Sequence, residues 1–115
     1  MHELGVVFQV IKMVEEVCSE NELTEVSSVT LELGELSTVI EDYLRDVWKW
    51  AVLKRSEHMK EAKLYVQTIP GITYCEDCKN KYQTKKYGKI CPICNSTRTY
   101  LMQGNEFNIK EIEAC

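Results

Sequence analysis

Two cysteine pairs constrain this chain more than any other feature. Cys75-Glu76-Asp77-Cys78 and Cys91-Pro92-Ile93-Cys94 form CxxC, twelve intervening residues and a second CxxC. Each CxxC turn lets two thiolates approach one metal from a tight loop. Two such knuckles close a tetrahedral four-thiolate site, the structural preference of zinc. The gap is long enough for a small hairpin. A four-iron cluster fits less well, because its cysteines usually follow other spacings. A redox dithiol needs only one CxxC, usually at a helix start. No histidine lies in the module, so the ligand set is all cysteine: Cys75, Cys78, Cys91 and Cys94. Tyr82, Tyr87 and Tyr100 are the candidates for its small core. Metal binding would supply most of its folding free energy, on the order of 10 kcal/mol or more.

Around this module the chain is ordinary. Its 115 residues make one domain, or a small domain with a module attached. The net charge of −4 is unevenly spread: residues 71–103 carry +4 and the remainder −8. Such asymmetry suggests two modules with different surfaces. The lysines invite a nucleic-acid reading, but four thiolates and a dication bring the loaded module to about +2. Offsetting the anionic metal centre is the simpler role for them, so no nucleic-acid partner is expected. No apolar run is long enough to cross a bilayer, and no basic leader precedes the first apolar segment. The chain therefore reads as cytoplasmic with no membrane partner. In a reducing compartment its six cysteines point to metal or thiol chemistry rather than disulfides.

The periodicities outline the elements. Leu4, Val7, Phe8, Ile11, Val14 and Cys18 recur at spacings of three and four, predicting an amphipathic helix of roughly 15 residues. "VSSVTLELGE" alternates, with Val29, Leu31 and Leu33 on one face, and ends as a strand at Gly34. Ser37 or Thr38 could cap a second helix, with Glu41 and Asp42 suited to its N-terminal end and Ile40, Leu44, Val47, Trp48 and Ala51 as its buried stripe. "KLYVQTIP" alternates again, with Leu64, Val66 and Thr68 inward, and Pro70-Gly71 is a turn at a module boundary. After the cysteine module, "NEFNIKEIE" reads as a strand returning to the first module, with Ile112 out of phase at a bulge or frayed end. The order is helix, strand, helix, strand, cysteine module, strand.

The N-terminus offers a second metal site. The Met1 amine, the His2 backbone nitrogen, the His2 imidazole Nδ1 and the Glu3 backbone nitrogen can close adjoining chelate rings. Four nitrogens in a plane suit nickel(II) or copper(II). Two deprotonated backbone nitrogens would cancel the charge of a dication. This matters beside a helix N-terminus, whose dipole repels cations. Metal binding there must displace protons from an amine and an imidazole, so acid should release it. From composition alone a solvated terminal His2 is the simpler reading.

The combination of segments is more specific. "MHEL" at the start, "LELGELS" in the first strand, "YCEDC" with "CPIC", and "QGNEFNIKEIE" at the end resemble the HypA family, the nickel metallochaperones of nickel–iron hydrogenase maturation. The resemblance covers essentially the whole chain in order. It implies an α+β fold, two helices packed on a three-stranded antiparallel sheet, with an inserted zinc-ribbon module. Residues 1–70 plus 104–115 would form the nickel-binding domain, and 71–103 the zinc-binding ribbon. Carried over by position, His2 is the nickel ligand, with backbone nitrogens of Met1, His2 and Glu3, and the four cysteines hold zinc. The implied partners are a HypB-type GTPase and the hydrogenase large subunit; some bacterial members also serve urease. Some members carry histidines just after the CxxC pairs, where this chain has Asn80 and Asn95, so a ligand exchange with ribbon histidines does not carry over.

The remaining candidates have plainer readings. His58, in "KRSEHMKEAK", reads as a solvated loop histidine rather than a second nickel ligand. Cys18 reads as a small core residue, Cys115 as a terminal thiol, Trp48 as core and Trp50 as a partner contact or partly covered ring. The Glu3 side chain could orient the His2 ring. No nucleophile–base pair, phosphate loop or paired acid–base carboxylates stand out, so an enzyme is not expected. The competing functions are a zinc-ribbon adaptor for protein or nucleic acid and a thiol oxidoreductase.

Overall fold

The computed structural model of the chain describes residues 3–115. In chain order the elements are α1 (Glu3–Glu20), β1 (Val26–Gly34), α2 (Glu41–Arg55), β2 (Lys63–Ile69), β3 (Ile72–Cys75), β4 (Lys81–Gln83), the single turn α3 (Thr84–Tyr87), β5 (Thr99–Gln103) and β6 (Phe107–Ala114). They fall into two compact units. One contains the segment ending at Glu32, Thr38–Gln67 and Asn108–Cys115; the other contains Leu33–Ser37 and Thr68–Phe107. The strands form two three-stranded sheets, β2-β1-β6 and β4-β3-β5.

In the first unit α1 packs on α2. α1 buries Val6, Val7, Val10, Ile11, Val14 and Cys18. Leu4 is 41% exposed and leaves the expected stripe. The reason is angular: Val6 and Val10 turn the centre of the apolar face towards Val14, and Leu4 and Phe8 fall on its flank. α2 buries Leu44, Trp48, Ala51 and Val52, whereas Ile40 is 52% exposed and Val47 is half-buried. Ile40, not Ser37 or Thr38, occupies the α2 N-cap position, with no side-chain cap hydrogen bond of its own. Its N–H donates instead to the Glu3 carboxylate at 3.3 Å, so an α1 side chain serves the start of α2. Glu41 and Asp42 in the first turn and Lys54 and Arg55 in the last oppose the helix dipole.

The fold class stands, with one correction of strand direction. β6 runs antiparallel to β1: Thr24 N–H donates to Cys115 O at one end and Gly34 N–H to Glu106 O at the other. β2 runs parallel to β1. Val26 N–H donates to His58 O just before β2, and Glu35 N–H to Ile69 O at its end. The sheet is therefore mixed rather than wholly antiparallel. The physical cause is the connection: α2 carries the chain back to the starting end of β1, as a crossover does and a hairpin cannot. β1 is the central strand and buries Val26, Ser28, Val29, Leu31 and Leu33. Thr68, expected inward on β2, is exposed. On β6 the half-buried positions shift phase between Ile109 and Ile112, but the ladder continues to its end, where Cys115 N–H donates to Glu25 O at 2.9 Å.

In the second unit three glycines stack where the strands converge. A Cβ on Gly34 would lie 2.2 Å from Gly104 O, and one on Gly104 would lie 2.4 Å from Gly71 Cα. Gly104 also holds φ at +118°, which L side chains rarely adopt. The Glu35 carboxylate accepts the Gly71 N–H at 2.7 Å, and Leu36 N–H donates to Gly104 O at 2.7 Å. "LGELS", "PG" and "QGN" thus meet as one backbone-packed cluster beside the small sheet.

Candidate metal centre

β3 delivers Cys75 at its last residue, and the chain turns through Cys78 into β4. β3 pairs antiparallel with β4 (Thr73 opposite Tyr82) and with β5 (Cys75 opposite Thr99). The second CxxC lies between α3 and β5. The two knuckles are built alike. Lys79 N–H donates to Cys75 O and Asn95 N–H to Cys91 O, each at 2.9 Å, and Lys79 and Asn95 both sit at φ 60°. Cys75 N–H reaches Asn80 O and Cys91 N–H reaches Ser96 O. Each backbone loop therefore closes on itself and points its two sulfurs the same way.

The four sulfurs converge. All lie within 4.8 Å of one another, with Cys75 Sγ to Cys94 Sγ and Cys78 Sγ to Cys91 Sγ at 3.6 Å. A tetrahedral zinc with bonds of about 2.3 Å needs sulfurs about 3.8 Å apart. Geometry and donor type both fit a structural zinc. The electrostatics agree. Hydrogen bonds from the Asn80 side chain and backbone hold Cys78 down to about 6. Cys94 is driven the other way, up to about 12: Ser96 favours its thiolate, but desolvation and the thiols of Cys75, Cys78 and Cys91 outweigh it. Without a cation these cysteines do not all ionise together, and a dication supplies the missing charge.

The core beneath the centre is small. Tyr82 is buried with Cys75 and Cys91, Cys78 packs against them, and the Tyr82 hydroxyl donates to Gly88 O at 2.9 Å. Tyr87 meets the Tyr82 ring edge-on with centroids 6.1 Å apart, yet it is exposed, as is Tyr100, which lies against Tyr74. Of the three expected tyrosines, Tyr82 alone belongs to that buried cluster.

A network that the cysteine spacing did not reveal laces the knuckles together. Arg98 donates to Asp77 Oδ1 at 2.7 Å and to Glu76 Oε2 at 3.3 Å. The Ser96 hydroxyl donates to the other Asp77 oxygen and accepts the Arg98 N–H at 3.0 Å. Glu76 N–H closes the ring on Arg98 O at 2.9 Å. The available signal was two carboxylates inside one CxxC with an arginine just past the other.

Of the N-terminal candidates, Met1 and His2 lie outside the described residues. Glu3 opens α1, and its carboxylate is engaged with Ile40 N–H. His58 is not a freely solvated histidine: its Nδ1 and backbone N–H both meet Glu15 on α1. The same carboxylate accepts the Ser56 hydroxyl at 2.5 Å and the Glu57 N–H at 2.9 Å. Partial desolvation raises the Glu15 pKa, but the hydrogen bonds from Ser56, His58 and Glu57 outweigh it and leave it below the usual glutamate value. Cys18 is buried, and desolvation followed by the nearby Glu15 charge pushes its thiol up, which makes it inert packing. Cys115 is exposed. Trp48 is core, and half-exposed Trp50 lies 6.2 Å from the Phe8 ring, over which Arg55 also sits. Among the described residues no helix is long and apolar enough to cross a membrane.

Fold and centre together define a small α+β protein that carries a four-cysteine, zinc-ribbon-like module. The family model described as hydrogenase/urease nickel incorporation, metallochaperone, HypA, matches residues 1–114. The chain is 30% identical over 112 residues to the hydrogenase maturation factor HypA of Actinobacillus succinogenes, covering 97% of each chain. It is 33% identical over 113 residues to that of Trichodesmium erythraeum, covering 98% of this chain and 95% of the relative. The solution structure of the Ni metallochaperone HypA from Helicobacter pylori matches with a TM-score of 0.72 at 25% identity, over 99% of this chain and 97% of the other. The chain belongs to the HypA family of nickel metallochaperones.

Proposed function

We propose that this protein carries nickel(II) on its N-terminal segment and passes it to the large subunit of a nickel–iron hydrogenase, acting with a HypB-type GTPase. The whole-length match to the nickel-incorporation family carries the reading. The nickel would be held by the His2 imidazole and by the nitrogens of Met1, His2 and Glu3. Residues 1–70 with 104–115 would act as the nickel-binding domain, and 71–103 as the ribbon. Cys75, Cys78, Cys91 and Cys94 would hold a structural zinc, which supplies charge compensation and a covalent-like knot for a unit with little core. The role is carriage rather than catalysis, in the cytoplasm.

The two metals receive different chemistry. Zinc meets four sulfurs, two of them fully buried. Cargo nickel would meet hard nitrogen donors on a terminal peptide, which a recipient can replace one at a time. Soft and hard donor sets limit misloading. Transfer of nickel from the loaded protein to a nickel-free large subunit, in the presence of the GTPase, tests the proposal. His2→Ala should abolish transfer while leaving zinc in place; undiminished transfer would refute the nickel assignment.

A further inference from the structure

The two knuckles repeat at an interval of sixteen residues, with Cys75 corresponding to Cys91 and Lys79 to Asn95. Their backbones match, but their side chains do not. The first knuckle holds two carboxylates between its cysteines, Glu76 and Asp77, and the second holds Pro92 and Ile93 at the same places. Arg98 corresponds to Tyr82 in this repeat. Tyr82 turns inward under the sulfurs, whereas Arg98 reaches across to the opposite knuckle. The lacing is thus one-sided. It joins the exit of the second knuckle to the turn of the first through both carboxylates, the Ser96 hydroxyl and a backbone hydrogen bond from Glu76 to Arg98.

We propose that Arg98, Asp77 and Ser96 form a clamp that positions the two halves of the four-thiolate centre and slows zinc release. The inference rests on the zinc assignment above, and is independent of the nickel site. Each knuckle supplies two sulfurs. Two sulfur contacts of 3.6 Å, Cys75 with Cys94 and Cys78 with Cys91, both run from one knuckle to the other. Splaying the knuckles therefore breaks the ligand set in half without disturbing either loop. The β3–β5 ladder, ending at Cys75 opposite Thr99, ties the knuckles on one side. Beyond it the buried core is Tyr82 with the cysteines, and Cys94 is exposed, so the clamp carries the junction from the end of that ladder into the first knuckle's turn. A lone surface ion pair would add little. Here a planar guanidinium bridges two carboxylates while a hydroxyl fixes the second oxygen of one of them, which sets orientation as well as charge. The clamp acts on the loops that carry the ligands, and losing a hydrogen bond to a charged partner is worth about tenfold or more.

The experiment is the rate at which the zinc-loaded full chain gives up its metal to excess chromophoric chelator. Arg98→Gln and Asp77→Asn should each release zinc about tenfold faster than the native protein. Because both break the shared Arg98–Asp77 bond, the effect in the double variant should fall well short of the product of the two single effects. Arg98→Lys should remain fast, because an ammonium cannot bridge two carboxylates as the guanidinium fork does. Native rates in both single variants would overturn the clamp, as would multiplying effects in the double variant. A native rate in Arg98→Lys would reduce Arg98 to a diffuse positive charge and overturn the clamp as well. Cobalt(II) thiolate absorption shows that each variant assembles the centre. If Arg98→Gln does not, Asp77→Asn decides alone, with fast release supporting the clamp and a native rate refuting it. A native protein that holds no zinc would sink the zinc assignment itself, and the clamp with it.

Discussion

Glu15 is a single carboxylate that organises the loop after α2. It accepts the hydroxyl of Ser56, the N–H groups of Glu57 and His58, and meets the His58 ring. Ser56 in turn accepts the N–H of Met59, which is fully buried. Glu15→Gln should destabilise the protein by about 2 kcal/mol, since hydrogen bonds to a charged acceptor are replaced by weaker ones and the amide adds an unwanted donor. Denaturant unfolding at neutral pH measures this. The pH dependence has a definite sign. Glu15 is depressed in the folded state, so its stabilisation is present above the unfolded glutamate value of about 4.3 and is lost as pH falls through the lower folded value. The variant should show a shallower acid loss than the native protein below about pH 4.3; equal slopes would contradict the role. Gly104 is the other decisive residue. Its φ is +118°, and a Cβ added there would lie 2.4 Å from Gly71 Cα. Gly104→Ala should therefore cost roughly 3 kcal/mol or more, because strain and overlap add. A lowered melting temperature checks it; an unchanged one would mean that the glycine cluster gives way without cost.

At the scale of elements, the legible features were those with a period or a spacing. The helix of "LGVVFQVIKMVEEVC", the first strand and the two knuckles all announced themselves. Leu4 and Ile40 depart from expectation because spacing identifies an apolar arc but not its centre, and Val6 and Val10 move that centre on α1. Strand direction is not in the periodicity at all: alternation says which face is covered and is blind to polarity. The helix between β1 and β2 is the available clue, since parallel neighbours need such a crossover. The α2 cap escapes a sequence reading because Glu3 comes from another element, beyond any local capping pattern. The same holds for Arg98, whose carboxylate partners lie more than 20 residues away. The cysteine unit makes its own prediction. Removing zinc with a strong chelator should unfold β3–β5, whose core is one tyrosine and the cysteines, and leave α1, α2 and their sheet intact. Amide hydrogen exchange resolves the two; retained protection on β3 after metal removal would contradict it.

At the scale of the molecule, charge and chemistry divide together. The cysteine segment is cationic before loading and the remainder is strongly anionic. Cysteine thiols are confined to the ribbon apart from Cys18 and Cys115, and Cys18 is buried. The family match extends this division into a working scheme: one metal for structure and one as cargo. That scheme was legible in the sequence only because four separated segments agreed in order; His2 alone would not have carried it. Its central claim is that nickel is bound by the free N-terminus. The direct measurement is calorimetric titration of zinc-loaded protein with nickel(II), comparing the native chain, His2→Ala, and a chain extended by one residue ahead of Met1. The account predicts one nickel bound by the native chain, no specific binding by the other two, and zinc retained in all three. Equal nickel binding by all three would contradict it.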